Sequence, residues 1–296
     1  MRYTPRHSAK ALRKPSKTIR QMKAVLFLLL AALFVWPFAE PFTLETDVMT
    51  VESANLPEDI GTLRIVYLSD IHFGPFYPMS RVNELVSRVN ALNPDIILLG
   101  GDYAESSDQA VAFFEQAPEF HARYAVCGVV GNHDRTSPES NLQRLKSAMR
   151  SAGVIPLVNE VTRVRIGSSE IVIAGIDDVS NGRPQLGPVA AQTKSGEFTI
   201  FLCHNPAVLP EAQEAVSADG NRTWFDLGLF GHTHGGQVAL IGQLLNPSGV
   251  PARYQQGWLT ENRASLLISR GVGTTFLPLR FMCMPQIHLI TVKAVK

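Results

Sequence analysis

Leu63–His72 reads LRIVYLSDIH, an apolar, β-rich run that passes directly into Asp70 and His72, two side chains able to bind metal. Two further stretches repeat the arrangement. Asp95–Leu99 (DIILL) ends at Gly100-Gly101-Asp102, and Tyr124–Val130 ends at Gly131-Asn132-His133-Asp134. Helical signals lie between them. Val82, Leu85, Val86, Val89 and Leu92 share one face of Ser80–Leu92, which Asn93-Pro94 stops, and a second helical stretch falls around Gln109–Gln116. A third helix is expected with Ser137 as N-cap and Pro138 at its first position, running to Gly153. Strands alternating with helices predict parallel βαβ units, in which ligands gather beyond the carboxyl ends of the strands.

The second half is richer in strands, expected at Thr162–Ile166, Glu170–Ala174, Thr199–Leu202, Leu227–Phe230, Leu266–Ser269 and Ile287–Val292, with a short helix around Pro206–Ala215. Nothing between Leu63 and Val292 reads as a linker, so residues 63–293 are expected to form one catalytic domain, preceded by a linker over 40–62.

The overall charge of +1 hides an asymmetry. Eight of the 27 basic residues precede Ala24, where there is no acidic residue; the remaining 19 face 26 acidic ones, a formal −7 for the rest of the chain. The body therefore carries no nucleic-acid footprint, and no nucleic-acid partner is expected. Cys127, Cys203 and Cys283 give neither a disulfide framework nor a metal knuckle, and the first two, in apolar runs, read as buried thiols. Residues 1–23 form a basic tail. Residues 24–39 (AVLFLLLAALFVWPFA), ended by Pro37, Glu40 and Pro41, read first as a single-span anchor, with a cleaved signal or an interfacial helix as alternatives. The positive-inside rule then places the tail in the cytoplasm and the catalytic domain outside it, on a cell membrane.

Five of the eight histidines fall in short polar motifs: SDIH, GNHD, CHNP and GHTH. With the carboxylates they give a candidate metal set of Asp70, His72, Asp102, Asn132, His204, His232 and His234. Asp70-x-His72 is read as extended chain with both side chains on one side, and His232-x-His234 likewise. Carboxylate, imidazole and amide oxygen suit Mn, Fe or Zn better than Ca²⁺. Two such ions would lower the pKa of a bridging water and clamp an in-line displacement at phosphorus.

The ordered blocks D-x-H, G-D, G-N-H-D, H and G-H-T-H resemble the calcineurin-like metallophosphoesterase superfamily, over roughly Leu63 to Val292. SDIHFG, GIDD, GHTHGGQ and SRGVGTT are similar to its membrane-associated bacterial branch, which includes UDP-2,3-diacylglucosamine hydrolases. The resemblance implies an α/β fold: a two-sheet β-sandwich flanked by helices. It implies that Asp70, His72 and His234 hold one divalent ion, that Asn132, His204 and His232 hold another, and that Asp102 bridges them. It also implies that His133 is catalytic, assisting the leaving oxygen while a metal-bridging hydroxide attacks. Either Glu105 or Asp134 is expected to orient His133, while Asp177 and Arg270 are candidates for support or substrate binding. Phe276, Leu277, Leu279, Phe281 and Met282 form an apolar cluster, read as core or dimer packing or as an acyl-chain or membrane-facing surface beside the site. The expected activity is hydrolysis of a phosphodiester or pyrophosphate bond in a small or lipid-linked substrate. The alternatives are the lipid A pathway hydrolase, or a non-enzymatic sensor on the same fold.

Overall fold

In the computed structural model, which describes residues 16–238 and 248–295, the chain opens with an apolar helix, α1 (Lys17–Ala39). It starts seven residues before the expected apolar run and takes in Pro37; residues 1–15 of the basic tail lie outside the described residues. At 1.5 Å per residue its 23 residues extend about 34 Å, and its length and mean hydropathy of 2.1 are sufficient to cross a bilayer.

The body then follows with β1 (Glu45–Ser53), β2 (Thr62–Leu68), α2 (Met79–Ala91), β3 (Ile96–Leu99), α3 (Ser107–Gln116), β4 (Ala125–Gly128), α4 (Glu139–Ser151) and β5 (Ile155–Pro156). Next come β6 (Glu160–Ile166), β7 (Ser169–Gly175), α5 (Leu186–Ala190), β8 (Thr199–Leu202), α6 (Leu209–Ala212) and β9 (Leu227–Phe230). The last strands are β10 (Gly257–Glu261), β11 (Ala264–Ile268) and β12 (Gln286–Ala294).

These strands build two six-stranded mixed sheets, ordered β1-β12-β2-β3-β4-β5 and β10-β11-β9-β8-β7-β6. Within them β2–β5 run parallel, as do β7, β8, β9 and β11. Leu63, Ile65, Ile96 and Leu98 of the first sheet pack on Ile171, Ile173, Ile200 and Leu229 of the second. The opposite face of the first sheet, with Val66, Leu68, Ile97 and Leu99, is covered by Val82, Leu85 and Val86 of α2 and by Phe113 of α3. Strands covered on both faces must be apolar at consecutive positions, which is why β2 and β3 read as unbroken hydrophobic runs.

The stretch expected as a linker over 40–62 instead contains β1, paired in parallel with β12 over nine residues. Its sequence ETDVMTVES is mostly polar because it is an edge strand, with Val51 its buried hydrophobic residue and Val48 exposed. Helix α4 begins later than expected: Pro138 is extended (φ −79°, ψ 173°) and serves as N-cap, displacing Ser137 from that role. The helix expected over Pro206–Ala215 is a 3-10 turn at Pro206–Val208 followed by the four-residue α6, with the Asn205 side chain accepting from the Ala207 N–H at 2.9 Å. Strands β5 and β10 were not expected. The hairpin joining β10 to β11 turns on Asn262 and Arg263, both left-handed (φ 48° and 68°), as a two-residue hairpin turn requires. All three cysteines are buried and unpaired.

Candidate metal centre

All seven predicted residues lie just beyond the carboxyl end of a parallel strand: Asp70 and His72 after β2, Asp102 after β3, Asn132 after β4, His204 after β8, and His232 and His234 after β9. Main-chain bonds lock the loops to one another. Asp70 N–H donates to Gly101 O at 2.9 Å, His72 N–H to Asp102 O at 3.1 Å, and Gly231 N–H to His204 O at 2.8 Å.

The side chains converge on two carboxylates. Asp102 Oδ2 is 3.2 Å from His204 Nε2 and 3.7 Å from His72 Nε2, while Oδ1 accepts the His133 N–H at 3.0 Å. Asp70 Oδ1 is 3.5 Å from His234 Nε2 and accepts the His232 N–H at 3.0 Å. His72 Nε2 and His234 Nε2 approach to 3.1 Å, and Asn132 Oδ1 lies 2.9 Å from His232 Nδ1. Gly131 and Gly231 permit this crowding. A Cβ at Gly131 would sit 2.1 Å from Asp102 Oδ1, and one at Gly231 2.5 Å from Asp70 Oδ2.

The backbone differs from expectation. Asp70, His72, Asp102, His232 and His234 are all left-handed, with φ between 50° and 70°, so neither D-x-H nor H-x-H is extended. Such a conformation costs about 1–3 kcal/mol at a non-glycine residue, and Asp and His are among the residues that tolerate it best. A turn at each residue lets alternate side chains reach one centre from a short loop.

The donor set fits divalent cations. Three sets of ligand atoms from these residues and His133 each lie within 4.8 Å of one another: Asp70, His72, His234; Asp70, Asp102, His204; and His72, Asp102, His133. His204 Nε2 is buried without a hydrogen-bond partner, its 3.2 Å approach to Asp102 being poorly aligned. Burial, then the charge of His204, pushes His232 down to about 4; burial and His72 hold His234 well below the usual imidazole range. Both are therefore neutral donors. Burial disfavours ionisation of Asp102, but His204, His72 and His133 outweigh it and hold the carboxyl well below the usual carboxylate range.

The supporting residues divide differently from expectation. Glu105 bridges His72 Nδ1 (2.8 Å) and His133 Nδ1 (3.4 Å), so it, and not Asp134, faces the catalytic candidate. Asp134 is buried and accepts the N–H groups of Asp102 (2.7 Å), Tyr103 (3.0 Å) and Gly131 (2.9 Å), tying two ligand-bearing loops together. Asp177 holds Arg135 at 3.0 Å, just beyond the GNHD block, and so supports that loop. Arg270 is occupied by Glu45 and Gln286, each at 2.9 Å, and is not among the residues lining the cleft. His288, outside the motifs, is buried and bridges Asp47 (3.1 Å) and Ser269 (3.0 Å).

Two further side chains, Arg280 and Gln237, shape the loops around the site. Arg280 is fully buried, with no carboxylate within salt-bridge distance among the described residues; it donates to the carbonyls of Arg270, Gly273 and Cys283 and so shapes the loop behind His234. Gln237 grips the opposite loop through Thr275 O (3.0 Å), Leu277 O (3.2 Å) and Thr275 N–H (2.9 Å). Between these walls lies a cleft of about 600 Å³. It is lined by the polar Asp102, Asn132, His133, His232 and His234 and by the apolar Val238, Phe276, Leu277 and Leu279.

Residues 63–236, more than half of the chain, match the model of the calcineurin-like phosphoesterase family. The chain belongs to that family. As a calcineurin-like phosphoesterase it is a metal-dependent phosphoester hydrolase, of a family that typically binds two divalent ions. It is 28% identical to the metallophosphoesterase YkuE of Bacillus subtilis over 264 residues, covering 87% of this chain and 88% of that one. It is 28% identical to the phosphodiesterase YaeI of Escherichia coli over 244 residues, covering 79% and 83%. It is also 34% identical to a transmembrane protein with a metallophosphoesterase domain from Bos taurus, covering 68% of this chain and 48% of that one.

Proposed function

We propose that this calcineurin-like phosphoesterase is a membrane-anchored, two-metal hydrolase of a phosphodiester or pyrophosphate bond in a small or lipid-linked substrate. The observation that carries the reading is the position of Asp102, whose Oδ2 lies between His204 and His72 while Asp70 and the remaining imidazoles close around it. Asp70, His72 and His234 would hold one ion, and Asn132, His204 and His232 the other, with Asp102 shared. Bound there, the two ions, Mn, Fe or Zn by donor chemistry, supply Lewis acidity toward a phosphoryl oxygen and a water of lowered pKa.

The chain's own groups do the rest. His133 lines the cleft, and Glu105 fixes its Nδ1 edge, which leaves the other ring nitrogen to pass a proton to the leaving oxygen. The Asp102 carboxylate holds the His133 main chain in place, so the proton donor and the shared ligand are set by one side chain. The apolar side of the cleft leaves room for a second ester group, which favours a diester over a monoester. That side also favours a lipid-linked nucleotide pyrophosphate, the lipid A pathway substrate, as a second reading. The sequence asymmetry orients the anchor with the tail in the cytoplasm and the body outside, and protection of the body from protease on intact spheroplasts would reverse that orientation.

The test is turnover of a bis-aryl phosphodiester by metal-loaded protein. Chelation is expected to abolish it and added Mn, Fe or Zn to restore it; a fully loaded protein without turnover overturns the reading. His133→Ala is expected to lower kcat by about 10²–10⁴-fold with the bound metal unchanged. Loss of metal in that variant would make His133 a ligand.

A further inference from the structure

We infer that the mouth of the cleft is docked against a lipid bilayer, and that the phosphoester it accepts is carried by a lipid resident there. This rests on the phosphoesterase reading for the substrate, though not for the docking.

The first observation is the rim. Phe276 is 93% exposed, Met282 64% and Leu277 58%, three large apolar side chains within seven residues, of which Phe276 and Leu277 line the cleft. Phe276 and Met282 both adopt left-handed backbone (φ 59° and 53°). For bulky side chains that conformation is disfavoured, and it persists only where the surroundings impose it. Gln237 imposes it on one side, through its three bonds to Thr275 and Leu277 and through its carbonyl, which accepts the Phe281 N–H at 3.0 Å. Arg280 holds the inner side from beneath. The loop is thus braced with its apolar side chains outward, where water makes them unfavourable.

The second observation says what covers them. The buried carboxylate of Glu40 accepts the N–H groups of Met282, at 3.0 Å, and Cys283. Glu40 directly follows Ala39, the last residue of α1. Adjacent Cα atoms are about 3.8 Å apart, so covalent geometry alone ties the root of the rim to the point where the chain leaves its apolar segment. Phe42, two residues further on, is 65% exposed and adds a fourth apolar side chain at that root. An anchor in lipid and a rim of outward Phe, Leu and Met fastened beside its end fit one occupant, the bilayer interface. A lipid phosphodiester or pyrophosphate would then offer its phosphoryl group to the His133 side of the cleft and its apolar portion to the Phe276 side.

The experiment uses the full chain in phosphatidylcholine vesicles, with and without brominated acyl chains. Phe276→Trp and Met282→Trp report contact with lipid by quenching of the added tryptophan's emission, measured against wild type. Val216→Trp, exposed and outside the cleft, is the control. Bromine quenching of both rim tryptophans and not of the control is expected. Equal quenching at all three positions, or blue-shifted but unquenched rim tryptophans, as a protein partner would give, overturns the docking. In the same vesicles a diacylglycerophosphate aryl ester is compared with a soluble bis-aryl phosphodiester. The double variant Phe42→Ser, Met282→Ser is expected to lower the ratio of vesicle to soluble turnover about tenfold or more, since both side chains lose their apolar contact with lipid. An unchanged ratio overturns the substrate assignment. Failure of the soluble diester alone strikes the phosphoesterase reading and leaves the quenching result standing.

Discussion

Asp102→Ala is expected to lower kcat/KM on an aryl phosphodiester by about a thousandfold or more, and to reduce bound metal from two ions per chain to one or none. The size follows from how much one carboxylate does. Its Oδ2 is the atom approached by His204 and His72, and its Oδ1 holds the His133 N–H. Truncation therefore removes a proposed ligand from both half-sites and frees the main chain of the proposed proton donor. Asp102→Asn separates these effects. An amide oxygen can still accept the His133 N–H, so the loop should stay in place while charge toward the ions is lost. Metal analysis beside steady-state kinetics gives the answer, and full metal content with full activity in Asp102→Ala would remove the site assignment.

Asp134→Ala is the second large effect, and it is a matter of stability. Three buried main-chain N–H groups, from Asp102, Tyr103 and Gly131, lose their acceptor together. Each unsatisfied donor costs about 1–3 kcal/mol, and with partial relaxation the sum is on the order of 3–5 kcal/mol. For a body of this size that is a fall in Tm on the order of 10 °C, read by thermal unfolding of the metal-free protein so that lost ligand binding does not contribute. Asp134→Asn, with one carbonyl oxygen, should recover part of it. A melting temperature within a degree or two of wild type would show that the loops do not depend on this carboxylate.

The sequence was most legible where burial imposed a repeating constraint. β2, β3, β8 and β9 are covered on both faces, so apolar residues at consecutive positions marked them. The polar residues that follow them marked the site, because short ligand side chains after buried strands have few other uses. β1 carried no such mark. It is an edge strand whose sequence, ETDVMTVES, shows neither an apolar run nor a regular alternation, and its pairing partner β12 lies some 240 residues away. The left-handed turns at Asp70, His72, Asp102, His232 and His234 were equally hidden, since Asp and His are common in many conformations. The choice between Glu105 and Asp134 depended on a distance across two loops, and adjacency in sequence pointed the wrong way: Asp134 turns away from its neighbour His133 to bind the main chain. Arg270 had the residue type for anion binding, but its guanidinium is spent on Glu45 and Gln286.

β12 has a further implication, for biosynthesis. It lies between β1 and β2, so the last of the described strands occupies an interior slot of the first sheet, flanked by the first two. A nascent body arrested before Gln286 would carry β1 without its partner and β2 with one edge bare. Proteolysis of such stalled chains should find them cleavable, with resistance appearing only once Ala294 has been added.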